Sequence, residues 1–289
     1  MYHIIVRSIS EIELYKNSDD KVKYMKLLKE CKEIFRFQVY AYCLMDNHAH
    51  FMIDCCGADI SAIMHRINFQ YSMYFNHKYN RHGHLFQDRF KSKLVEGNGN
   101  LYALSLYIHR NPTDIKKYKD EPEKYRFSSL GVYLKNKTDE FGILDEDYIL
   151  SLISDNKNVS IKHYRTLMFG NEDNSIIADE MEGIKSLYIS GRKIINRKYS
   201  FNNIMQFICD RFSVNQELFN VKFCRKMVKV RSLAIVMAKC LCNLKNAEIA
   251  KVVGNITTSR ISMLGSLGMD LILSEAAYHN IIEDFLEVN

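Results

Sequence analysis

The chain has 289 residues, 26% of them charged, with 40 Lys and Arg against 34 Asp and Glu for a net charge of +6. That length exceeds one average domain and can bury a substantial core, so two domains are expected. No run approaches the roughly 20 apolar residues of a membrane-spanning helix, and the first residues lack a charged leader and a small-residue cleavage site; a soluble chain that stays where it is made is expected.

The opening residues YHIIVRS, from Tyr2, are rich in aromatic and β-branched side chains and predict a strand. Asp19 to Phe35 repeats apolar positions at Val22, Met25, Leu28, Cys31 and Ile34, an amphipathic helix. Phe37 to Leu44 reads as a second strand, Met45-Asp46-Asn47 as a tight turn and His48 to Cys55 as a third strand, together a hairpin. A helix is expected from Asp59 to about Tyr79 and a fourth strand from Arg89 to Val95. Gly97 to Asn100 then breaks the pattern ahead of a helix from Leu101 to about Arg110. The order β-α-β-β-α-β with an appended helix predicts an α+β fold: a ferredoxin-like antiparallel sheet, helices on one face, the other face free for a site. Past about Lys135 the periodicity weakens, and residues 135–200 read as linker and connecting helices. From Phe201 onward, successive amphipathic patterns predict an all-α C-terminal domain over 201–289.

The third strand reads HAHFMI from His48. Strand alternation puts His48, His50 and Met52 on one face and Ala49, Phe51 and Ile53 on the other. Two imidazoles so placed can share one metal ion, or can hydrogen-bond their neighbours on a half-buried strand. The helix ending LYIHRNP offers what a metal site still needs. Tyr107 and Asn111 lie four apart on one helix face, and Pro112 ends the helix, although a residue before proline tends to leave the α region. Asn111 offers a carbonyl oxygen to a His-His-Asn set, and Tyr107 a phenol. Tyr71, Tyr74 and Tyr102 are alternative nucleophiles, none followed by such a ligand and helix stop. A phenol of unperturbed pKa about 10 needs a good electrophile, and a metal-held phosphodiester is one, which would leave a covalent phosphotyrosine. Imidazole and amide ligands suit manganese or magnesium. The eight cysteines, with Cys55 beside Cys56 and Cys240 near Cys242 but no facing C-x-x-C pairs, read as reduced thiols rather than a zinc ribbon.

Charge is unevenly spread. Between His65 and Lys93 six Lys or Arg stand against one acid, Asp88, with four histidines and seven Phe or Tyr interleaved, a mixture suited to phosphates and unstacked bases. Arg81, Arg89, Lys91 and Lys93 are candidate clamps for single-stranded DNA, the last three sharing one strand face. Phe86 and Phe90 could stack on bases or join the core. Between Lys222 and Lys239 there are six basic residues and no acid. Lys222, Arg225, Lys226 and Lys229 fall at helical spacings and predict one basic stripe, which could equally be a solvated helix face.

With these pieces in hand, residues 1 to about 134 resemble the single-tyrosine HUH transposases, and among them the REP-associated tyrosine transposases. The matching pieces are YHIIVRS, AYCLMDNHAHFMI, YFNHKYNRHGHLFQDRFKS, YIHRNP and EKYRFSSLGVYL. The resemblance implies that His48 and His50 bind the metal with Asn111 as third ligand, and that Tyr107 is the nucleophile. It also implies cleavage and strand transfer on single-stranded, hairpin-forming DNA, by a monomer or a homodimer, in a bacterial cytoplasm and associated with the nucleoid. Asp46 replaces the family's usual proline, and Ala49 its usual valine. Neither change removes a chemical group.

The run KVRSLAIVMAKCLCNLKNAEIAKVVGNITTSRISML is similar to the helix-turn-helix domain of the replication initiator DnaA. Glu248-Ile249-Ala250 would lie in the first helix, Gly254 in the turn, and Thr257 to Met263 would open a recognition helix. Thr258, Ser259 and Arg260 are then candidate contacts to duplex DNA, with Lys229 and Arg231 on phosphates. Two other readings stay open at this stage. One is a DNA-binding regulator that keeps the fold without cutting; the other is a metal-dependent small-molecule hydrolase needing neither Tyr107 nor the basic runs.

Overall fold

The computed structural model describes residues 1–9, 12–170, 195, 197–221 and 224–288. They divide into two compact units: residues 1–56 with the described part of 64–193, and residues 57–63 with the described part of 194–289. Among the described residues no helix is long and apolar enough to cross a membrane.

In the first unit β1 (Tyr2–Arg7), β2 (Gln38–Leu44), β3 (His48–Asp54) and β4 (Lys91–Leu94) form one sheet in the order β2-β3-β1-β4, every neighbouring pair antiparallel. Helix α1 (Ser18–Phe35) joins β1 to β2, and α2 (Ile60–Lys78) joins β3 to β4, which is the expected split βαβ arrangement. The β-branched and aromatic alternation of β1 and β3 decides which face is core. Ile4, Val6, Ala49, Phe51 and Ile53 are fully buried. Tyr24 of α1 stacks on Phe51 at 5.8 Å and meets Tyr71 of α2 at 5.1 Å, so both helices cover this face. The Tyr24 hydroxyl donates to the Asn68 side-chain oxygen at 2.9 Å, which satisfies a polar group that burial would otherwise penalise. Asp46, in the hairpin turn, accepts from the Lys21 ammonium at 2.6 Å, which ties the turn to α1.

Strand β4 begins at Lys91 rather than Arg89, so Arg89 shares no strand face with Lys91 and Lys93. The preceding residues are held by tertiary contacts: Ser8 bridges Phe86, and Asn68 Nδ2 donates to the Arg89 carbonyl at 3.0 Å. Helix α3 (Asn98–Arg110) starts three residues before the expected Leu101, because Gly97, with φ 84°, turns the chain directly into it. It packs on β2 and β3 on the face opposite α1 and α2, so that face is only partly free. Past the sheet, α4 (Leu130–Tyr133), α5 (Glu146–Ser151) and α6 (Lys157–Phe169) belong to this same unit, α5 and α6 falling in the stretch 135–200 expected as linker and connecting helices. They bury Leu130, Tyr133, Ile149, Leu150 and Tyr164 against α3 and β2.

The second unit is helical: α7 (Phe201–Phe212), α8 (Met227–Leu241), α9 (Asn246–Val253), α10 (Thr258–Ser274) and α11 (Ile281–Val288). Helix α8 is buried from Ser232 to Ala238 on every side and forms its centre. Gly268 of α10 lets the two backbones meet; a Cβ there would lie 2.2 Å from the Ser232 carbonyl oxygen. The basic run does not make a helical stripe. Arg225 and Lys226 precede the first residue of α8, and Lys222 lies outside the described residues.

Candidate active site

Strand register builds the site. β1 and β3 pair with Ile5 opposite His50 and Arg7 opposite His48, while Lys91 and Lys93 of β4 face Ile5 and His3. Directly opposed residues share a sheet face, so His3, Arg7, His48, His50, Lys91 and Lys93 all emerge on the face away from the core. The His48 and His50 rings lie 5.0 Å apart and perpendicular. His48 Nδ1 is 2.6 Å from the Asn47 side-chain oxygen, an acceptor, so Nδ1 carries the proton and Nε2 keeps its lone pair. His50 Nδ1 is 3.0 Å from His3 Nε2, which again leaves the His50 Nε2 edge for a ligand. This is how metal-binding histidines are usually supported: one nitrogen for the ion, the other on a polar partner.

Burial keeps these imidazoles neutral. His50, 4% exposed, has its pKa lowered to about 3 by burial and then by its His48 and His3 neighbours. His3 is lowered to about 4 by burial and by Lys93. His48 is also lowered by burial, with the Asn111 side chain opposing that shift and Arg7 adding to it. Neutral rings are the form that donates a lone pair to a cation.

Asn111 keeps αR dihedrals, φ −52° and ψ −38°, despite Pro112, and continues α3 as a 3-10 turn through Asp114. The four-residue spacing from Tyr107 therefore survives. Asn111 Nδ2 donates to the Tyr107 and Ile108 carbonyls at 2.9 and 3.2 Å, which leaves the side-chain oxygen to meet His48. Tyr107 is 43% exposed, with its ring 5.6 Å from His50 and 5.8 Å from His3, edge-on to both. Two histidine nitrogens, an amide oxygen and a phenol are thus brought together by β3 and α3. The three donors fit a hard divalent cation that completes its shell with water and phosphate oxygens. Among the described residues no three His, Cys, Asp or Glu side chains group to hold a metal, so any such site here depends on the amide.

The alternative tyrosines lie elsewhere. Tyr71 donates to the Leu14 carbonyl within the core on the opposite face, and Tyr74 belongs to the Asp20 cluster there. Tyr102 is fully buried, its ring 5.3 Å from that of Tyr164, and burial pushes its pKa far up.

Opposite its exposed face, α3 is pinned by a continuous buried chain. Ser129 Oγ lies 2.6 Å from His109 Nε2, His109 Nδ1 lies 2.6 Å from Tyr164 Oη, and Tyr164 donates to Ser105 Oγ at 2.9 Å. Ser105 in turn donates to the Tyr102 carbonyl at 2.6 Å, and the Tyr42 amide donates to Ser129 Oγ at 2.9 Å, so the helix that carries Tyr107 is tied to β2 and α6. Burial lowers the His109 pKa to about 3.

Beside the histidines opens a pocket of about 320 Å³ lined by Ile5, Arg7, Asn47, His48, His50, Gln87, Asp88, Phe90 and Lys91. Arg7 and His3 were not foreseen as site residues. A lone histidine or arginine on a strand carries no local signal, although their placement on alternate positions of YHIIVRS puts them on one face, as with His48 and His50. Arg81 does not project here; its guanidinium braces the loop after α2 through Asn76 at 3.1 Å and the His84 carbonyl at 3.5 Å. Phe86 meets Tyr71 at 6.4 Å on the core side, whereas Phe90 lines the pocket.

In the second unit, α9 and α10 are joined by four residues beginning at Gly254, φ 63°, and the Thr257 side chain caps α10 by accepting from the Arg260 amide at 3.2 Å. Thr258, Ser259 and Arg260 are exposed on the first turn of α10. Two of the expected phosphate contacts are already engaged. The Arg231 guanidinium donates to the Phe219, Leu218 and Val221 carbonyls, and Lys229 pairs with Glu275 at 3.2 Å. Arg225 and Lys226 are exposed, and Arg225 and Arg260 border a groove of about 890 Å³ in this unit.

Residues 1–111 match the family described as "Transposase IS200 like". No curated protein matches the chain. A solved structure described as "Structure of the REP associates tyrosine transposase bound to a REP hairpin" is similar at 17% identity over 50% of this chain and 82% of that chain, with a TM-score of 0.36.

Proposed function

We propose that the chain cuts and rejoins single-stranded, hairpin-forming DNA through a covalent phosphotyrosine at Tyr107, with a divalent cation held by His48, His50 and Asn111. The observation that carries this reading is the convergence of Tyr107 on the histidine pair, 5.6 Å ring to ring, with Asn111 one turn further along the same helix. The Tyr107 oxygen gives up its proton to solvent and attacks phosphorus; the O–P bond to tyrosine forms as the P–O3′ bond breaks, and the freed 3′-oxygen takes a proton from solvent. The bond energy is kept in the phosphotyrosine for rejoining to another 3′-hydroxyl. His48, His50 and Asn111 would hold a magnesium or manganese ion, which would supply polarisation of a phosphoryl oxygen. Arg7, Lys91 and Lys93, on the same face, attract and orient the phosphates. The substrate class rests on the sequence resemblance to the REP-associated branch. The second unit, with Thr258, Ser259 and Arg260 at the start of α10, would read duplex DNA beside the cut.

The test is incubation of the full chain with a labelled hairpin oligonucleotide, with manganese and with a chelator. Denaturation-resistant labelled protein should form only with metal, and His50→Ala should lose it while still binding the oligonucleotide. Binding without cleavage by the unaltered chain would instead identify a regulator that keeps the fold.

A further inference from the structure

Asp88 is the single acid among six basic residues between His65 and Lys93, and it lies on the wall of the pocket beside the histidine pair. A carboxylate in a groove for a polyanion weakens phosphate binding, so its presence there calls for a ligand group that it attracts. It is not part of a three-residue metal group of His, Cys, Asp or Glu among the described residues. Nor, among them, does any ion pair or side-chain hydrogen bond engage Asp88. The groups around it divide by chemistry. Arg7 and Lys91 are cations for phosphate, Phe90 is an aromatic surface, and Asp88, as a carboxylate, can only accept hydrogen bonds. In an unpaired DNA strand the matching donors are the exocyclic amino groups of adenine, cytosine and guanine and the ring N–H of guanine and thymine; guanine alone sets two donors, N1–H and the 2-amino group, side by side to meet both oxygens of one carboxylate.

We propose that this pocket takes one unstacked nucleotide flanking the scissile phosphate, guanine in preference to the other bases, its base against Phe90, its N1–H and amino group donating to Asp88 and its phosphate between Arg7 and Lys91. Asp88 is then a specificity-determining residue rather than part of the bond-breaking machinery. At about 320 Å³ the pocket has the size of a small-molecule site. The inference rests on the reading of Tyr107 as the nucleophile, which fixes where the cut lies.

The experiment uses a labelled hairpin library randomised at the unpaired nucleotides on both sides of the stem, captured covalently by the full chain with manganese and then sequenced. The unaltered chain should favour guanine about fivefold or more at one position next to the cut, the low end of what a well-made bidentate base-edge contact supplies. Asp88→Asn should remove that bias at that position alone, with affinity for an oligo-dT probe unchanged or raised. A profile unchanged in the variant, or no bias beside the cut in the unaltered chain, overturns the inference. Normal capture with an unchanged profile removes this inference only; absence of any capture by the unaltered chain removes the transesterase reading and this one with it.

Discussion

His50 is supported from a direction that local sequence does not show. Its Nδ1 sits 3.0 Å from His3 Nε2, and register alone, with Ile5 opposite His50, brings the two rings together. The HAH spacing made the histidine pair legible, and the YIHRN spacing made Tyr107 and Asn111 legible, because each pair lies within or at the end of a single element. His3 and Arg7 were not, since they reach the site only through strand pairing across the chain. If His3 orients the His50 ring, His3→Ala should weaken manganese binding about 10- to 100-fold, measured by isothermal titration. Affinity equal to that of the unaltered chain would remove His3 from the site.

Helix α3 is where position and chemistry meet, since Tyr107 projects from one side and His109 is sealed on the other. A neutral buried histidine gives a definite pH signature. The unfolded chain takes up a proton near pH 6.5 and the folded chain only near pH 3, so between these values the unfolded state binds more protons and stability falls as pH falls. From pH 7 to pH 5 His109 should contribute a loss of about 2 kcal/mol. Urea unfolding of His109→Gln should show a pH dependence shallower by about that amount; equal slopes would mean that His109 is not held neutral. The helices and strands with clear periodicity, β1 to β3 and α1 to α3, could be read from sequence to within a few residues at most. Arg89 was misplaced because contacts from Ser8 and Asn68 hold the chain before β4. Residues 135–200 read as linker and connecting helices because the partners of Ile149, Leu150 and Tyr164 lie on other elements. The stripe from Lys222 to Lys229 contains no glycine or proline to announce that α8 begins only at Met227.

At the scale of the whole molecule, the chain carries, besides the residues 1–111 that match the IS200-like transposase family, a helical unit whose α9-turn-α10 presents Arg260 to solvent. If that unit reads duplex DNA, Arg260→Ala should weaken duplex binding and, where the contact is to phosphate, lower the salt slope by about 1, with covalent capture of a single-stranded hairpin unchanged. Fluorescence anisotropy across a salt series reads the first effect and gel analysis the second; an equal loss in both would contradict a separate duplex-reading role. The account as a whole turns on Tyr107. Its most direct test is covalent capture of a labelled hairpin oligonucleotide with manganese, followed by peptide mass spectrometry, on the unaltered chain and on Tyr107→Phe. The account predicts a nucleotide adduct on the peptide containing Tyr107 and complete loss of capture in the variant, with oligonucleotide affinity retained. Capture that persists in Tyr107→Phe, or an adduct on another tyrosine, would contradict it.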